Sequence, residues 1–191
     1  AQFPAYAKGV LGGGEGTVTL LLATFTVGIG LGSLLCEKFS SGQVEIGLVP
    51  FGSIGLTLFG LDIAFASPTM LPTGAPLAIG AVLAQPGIVR VLLALLMLGV
   101  FGGFFIVPLY AMMQSRSAPG QRARIIAANN ILNALFMVTG ALAAGALLGA
   151  GLSIPMLFGL AAVMNAAVAL YIYRLVPEFL LRFIVWLLIH S

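Results

Sequence analysis

The sequence predicts an all-α membrane protein of about five transmembrane helices, and three observations carry that prediction. Of the 191 residues, 61% are hydrophobic and only 7% charged, and the mean hydropathy is +1.17. A soluble domain carries about 25% charged residues and needs them to cover its surface. The apolar residues also come in unbroken blocks of about 20, the number needed to cross roughly 30 Å of hydrocarbon, and not at an amphipathic period. Such blocks are about twice the 9–11 residues of a barrel strand. The backbone polar groups must therefore be satisfied within helices.

The first span covers residues 17–36 and is closed by the charged pair Glu37 and Lys38; the second covers residues 46–66. A stretch punctuated by Pro68, Pro72, Pro76 and Pro86 follows. It reads as a loop holding a short interfacial helix near residues 77–84. The third, fourth and fifth spans cover residues 91–110, 125–148 and 152–173. Residues 1–176 thus form one transmembrane unit. Residues 177–191 are apolar around a single Arg182 and shorter than a full span. An interfacial helix with Arg182 and Trp186 at headgroup level is the preferred reading, and a truncated sixth span is the alternative. The chain opens on Ala1 without an initiator methionine and ends inside this apolar stretch, so it reads as part of a longer protein.

Basic residues set the direction. Lys38, Arg116, Arg122, Arg124, Arg174 and Arg182 fall on one side of such a bundle, against Lys8 and Arg90 on the other. By the positive-inside rule the six are cytoplasmic, which puts the C-terminus inside. A net charge of +3 spread this thinly makes no nucleic-acid stripe, and none is expected as a partner; membrane lipids are.

Twenty-five glycines would cost soluble helices about 1 kcal/mol each against alanine, whereas small residues let membrane helices approach closely. Gly28 and Gly32 share a face of span one, and Gly99, Gly102 and Gly103 cluster on span three ahead of Pro108. Proline removes a backbone donor and crowds the preceding turn. Span three is therefore either the hinge of a moving bundle or a statically kinked packing helix.

Polar residues inside the spans are few. Asp62 lies near the external end of span two, where an acid serves either proton coupling or the aqueous interface. Asn129, Asn130 and Asn133 sit on the first turns of span four, with Asn129 and Asn133 on one face and Asn130 about 100° away. They read as interhelical glue or as the lining of a polar path, and Gln114 joins them as a path candidate. Arg116, Arg122 and Arg124, three guanidiniums in nine residues, either set topology or meet phospholipid headgroups, since arginine suits bidentate phosphate recognition. Arg122 and Arg124 precede a helix N-terminus, where the dipole disfavours cations, so an anion close by is expected. Cys36 is the only cysteine and His190 the only histidine. No nucleophile–base pair or metal-ligand spacing can be assembled, and the glycine run at residues 12–14 lacks any phosphate-loop context. No enzymatic role, cofactor or metal is expected.

Four stretches taken together, residues 2–8 (QFPAYAK), 28–38, 107–114 (VPLYAMMQ) and 122–135, resemble the major facilitator superfamily, and within it the bacterial lysophospholipid transporters. The likeness is closest to the form fused to a glycerophospholipid acyltransferase and an acyl-ligase domain. It implies that the five spans correspond to helices eight to twelve of a C-terminal half-bundle in the bacterial inner membrane, with residues 3–8 as the exit of helix seven. It also implies two partners: the N-terminal half of the same transporter and a fused acyltransferase beyond Ser191. Gly32, Glu37, Lys38 and Gly42 make a loose version of the superfamily's conformational loop, with the acid–base pair about one residue late and Glu45 where a base is usual. Asn129, Asn133 and the Gly99–Gly103 face fall near the substrate path, and Asp62 at the periphery. The resemblance favours lysophospholipid transport over the alternatives, a membrane anchor for the fused enzyme or a small-solute antiporter.

Overall fold

The structure, a computed structural model, describes residues 2–40, 46–68 and 75–190. Its elements are helices: α1 (Phe3–Gly9), α2 (Glu15–Ser40), α3 (Leu48–Ala66), α4 (Ile79–Leu83), α5 (Ile88–Arg116), α6 (Arg122–Gly149), α7 (Ile154–Leu175) and α8 (Glu178–His190). Five of them, α2, α3, α5, α6 and α7, are long and apolar enough to cross a membrane. They coincide with the five expected spans, with α2 and α5 several residues longer. The short loop helix is α4, of 5 residues. Gly42, Glu45 and Pro72 lie outside the described residues.

Helix α5 is the hub, packed most extensively against α2 and α3, with α3 in turn against α7. Glycine makes the first contact possible. A methyl group on Gly28 would run into the Leu96 carbonyl, and one on Gly32 into the Val100 carbonyl. Reciprocally, one on Gly99 would lie 2.5 Å from the Phe25 carbonyl, and one on Gly103 would lie 2.8 Å from the Gly32 backbone. Two pairs of glycines thus let α2 and α5 touch backbone to backbone, which gains dispersion energy where lipid tails give no hydrophobic drive. On α3, Gly52 meets the Phe104–Phe105 backbone and Gly55 receives the Phe101 ring. Rings of Phe51, Phe101 and Phe104 pack edge-on or tilted around this seam, 5.1–6.0 Å apart.

These pairings also fix direction. Contacts advance together along α2 and α5 (28 with 96, 32 with 100) but oppositely along α3 and α5 (52 with 104, 55 with 101). Gly159 faces Ala64, while Asn165 reaches Ser53, so α7 runs against α3. Helices α2, α5 and α7 therefore end together, bringing Lys38, Arg116 and Arg174 to one end of the bundle. A five-residue turn carries the chain on to Arg122 and Arg124 at the same end, and Arg182 joins them through Glu178. The expected sharing of one side by these six residues is what the packing produces. At the other end, Gly87 opens α5 and Gly151 turns α6 into α7, both at positive φ (84° and 96°) where a side chain would be strained.

Helix α8 covers 13 described residues, or about 20 Å. It folds against α3, and its Trp186 ring lies 5.9 Å from Phe51 and 6.0 Å from Phe39. Glu178 at its start pairs with Arg182 at 2.9 Å and with Arg116 at 3.5 Å. Helix α6 is the opposite case. It contains no buried residue and meets the rest of the chain through α7 and a few side chains of α5.

Candidate functional site

Two of the three asparagines converge. The Asn129 and Asn133 side-chain amides, one helical turn apart on α6, both donate to the Tyr110 hydroxyl on α5, at 3.1 and 3.2 Å. A phenol oxygen has two lone pairs, so accepting both amides leaves its own proton free to donate. Each asparagine keeps a carbonyl oxygen and one amide hydrogen. The cluster therefore presents both donors and acceptors, and no charge. Asn130 points away as its position requires; it is exposed and its side chain makes no hydrogen bond among the described residues.

Below this cluster opens a cavity of about 600 Å³ between α5 and α6, lined by Tyr110, Asn129 and Asn133 at its polar end and by Phe105, Ile106, Leu109, Met113, Phe136 and Met137 elsewhere. Phe105 and Ile106 also line a second, apolar cavity of about 370 Å³ among α2, α3, α5 and α7. The two lie along one stripe of α5. Within the glycine cluster the faces divide. Gly99 and Gly103 press on α2, whereas a side chain at Gly102 would meet nothing within 4 Å and would enter the apolar cavity. Pro108 is buried inside α5, which stays helical through it to Arg116.

The remaining candidates lie apart from this groove. Gln114 is exposed on the last turns of α5 and does not line the cavity. Arg116 has Glu178 as its anion, and Arg122 Nε donates to the Ser117 carbonyl at 3.3 Å, near the C-terminal end of α5 where carbonyls lack helical partners. Arg124 is exposed. Glu37 and Lys38 are exposed at the end of α2 and form no ion pair among the described residues. Asp62 pairs with Arg90 across α3 and α5, with an oxygen 3.0 Å from Nε and 2.5 Å from a terminal nitrogen. This pair sits at the end opposite the arginine cluster and remote from the groove.

One polar contact had no counterpart among the sequence candidates. Asn165 on α7 donates to the Ser53 carbonyl at 3.0 Å and to the Thr57 hydroxyl at 2.9 Å, tying α7 to α3. Its signal was available: an amide in the middle of an apolar span needs partners.

No protein-family model matches the chain, and no curated protein and no solved structure matches it either.

Proposed function

We propose that this chain is the C-terminal half-bundle of a transporter in the bacterial inner membrane. It moves lysophospholipid across or between leaflets by alternating access against an opposing half. One observation carries the reading: a groove inside a membrane bundle with a neutral hydrogen-bonding cluster at one end and apolar walls along the rest. A single-chain amphipathic lipid needs that pairing. Its polar part is costly to move through hydrocarbon without hydrogen-bonding partners, and Tyr110, Asn129 and Asn133 supply them. Its chain gains little from leaving one apolar medium for another, so recognition falls to the polar end. The arginine-rich end, and with it the C-terminus, faces the cytoplasm. Arg122 and Arg124 lie where lipid phosphates collect. The chain itself does no bond chemistry, and an acyltransferase fused after it would receive the delivered lipid.

Asp62 argues against the antiporter alternative. It is held by Arg90 at the bundle edge, and the groove lining contains no acid.

The test is uptake of radiolabelled lysophospholipid by proteoliposomes. Liposomes holding this chain together with its N-terminal half are expected to show saturable uptake, and those holding this chain alone none. Uptake by the chain alone, or none by the pair, overturns the proposal.

A further inference from the structure

We infer that the apolar cavity is an acyl-chain channel and that Gly102 sets the length of chain it accepts. The inference rests on the lipid-transport reading above and specifies which end of the lipid lies where. Leu98, Gly102, Phe105, Ile106, Tyr110 and Met113 recur at helical spacing on one stripe of α5. The cavity is lined beside Leu98 and Gly102 by Phe25 and Phe158. It shares Phe105 and Ile106 with the cavity capped by Tyr110. From Tyr110 to Leu98 the stripe runs about 18 Å at 1.5 Å per residue. The two spaces together follow this side of α5, with Tyr110, Asn129 and Asn133 lining one and a mostly apolar wall lining the other.

The occupant follows from the lining. Of the polar side chains facing this cavity, Ser33 donates to the Ile29 carbonyl and Asn165 to Ser53 and Thr57. Apart from Ser33 and the Asn165 carbonyl oxygen the lining is hydrocarbon, in a volume within the roughly 300–1,000 Å³ of ligand cavities. A lipid anchored through its glycerol or phosphate oxygens at Tyr110, Asn129 and Asn133 has its chain directed past Phe105 towards the Arg90 end. Gly102 lies on that course. A glycine there serves no close helix contact, since a side chain would find open space, in contrast to Gly99 and Gly103, where it would meet the α2 backbone. The missing side chain is the channel.

The experiment is a chain-length profile on the complete transporter: competition for lysophospholipid uptake by saturated single-chain homologues differing only in length. Wild type is expected to favour long chains. Gly102→Leu is expected to lose affinity for the longest chains by at least about fivefold, the lower end of what overpacking costs. Affinity for short chains should stay unchanged, so that the optimum shifts to shorter homologues. Gly102→Ala should give an intermediate shift, which keeps the test valid should the leucine variant fail to insert. Gly140→Leu, on the open face of α6, should leave the profile untouched. An unchanged profile in both Gly102 variants, with normal membrane levels and normal uptake, overturns this inference alone. Absence of lysophospholipid uptake in wild type overturns the transport reading instead.

Discussion

At the scale of single residues, what matters in a membrane interior is which polar atoms have partners. Tyr110 accepts from two amides at once, so Tyr110→Phe removes one oxygen and strands two donors. Each hydrogen bond is worth about 0.5–1.5 kcal/mol net, and lysophospholipid affinity is expected to fall about tenfold, read from equilibrium binding; unchanged affinity would show that the cluster only glues α5 to α6. The asparagines were legible in the sequence because two amides four residues apart on an apolar helix demand a partner. Tyr110 was not, since a tyrosine near a span end reads as an interfacial aromatic. The glycine cluster shows the same limit. Spacing puts Gly99 and Gly103 on one face, but only the position of α2 says that this face is filled and that Gly102 is left facing a void. Gly32→Leu, which drives a side chain into the Val100 carbonyl, should cost more than the roughly 1–3 kcal/mol of ordinary overpacking. Thermal unfolding in detergent should show a lowered midpoint for Gly32→Leu and a smaller change for Gly102→Leu; equal effects would contradict the division of faces.

At the scale of helices, length and hydropathy located all five spans, because the bilayer imposes a thickness that the sequence has to match. Which helix touches which was not legible: pairings depend on backbone approach, and glycines occur on every span. The C-terminal segment was open between an interfacial helix and a truncated span; its described 13 residues pack on α3, a contact that the sequence did not reveal. Trp186, the sole tryptophan, reports on this docking. With rings of Phe39, Phe51 and Phe183 around it, its emission should be blue-shifted and poorly quenched by iodide. Emission and quenching like those of free tryptophan would show α8 detached. The Arg116–Glu178 contact is long and half exposed, so Glu178→Gln should change stability little, as surface pairs are worth about 0–1 kcal/mol.

At the scale of the molecule, one helix is conspicuously unfinished. The surface of 11348 Å² exceeds by about a third the roughly 8,600 Å² of a compact monomer of this mass, and α6 with no buried residue accounts for much of it. Lipid covers such a helix in part, and under the transport proposal an opposing half-bundle would cover it further. Orientation is testable with cysteines, since the native Cys36 is buried. Ala75→Cys should be labelled by a membrane-impermeant maleimide on intact cells and Gly120→Cys only after permeabilisation; the reverse would invert the topology. Whether the groove between α5 and α6 holds the polar part of a single-chain lipid can be read by photo-crosslinking. A lysophospholipid with a photoreactive group on its glycerol, activated on the complete transporter, should mark peptides carrying Tyr110 and residues 129–133, and excess unlabelled lipid should abolish the marking. Labelling spread over the outward faces of α2, α3 and α7, unaffected by competitor, would contradict it.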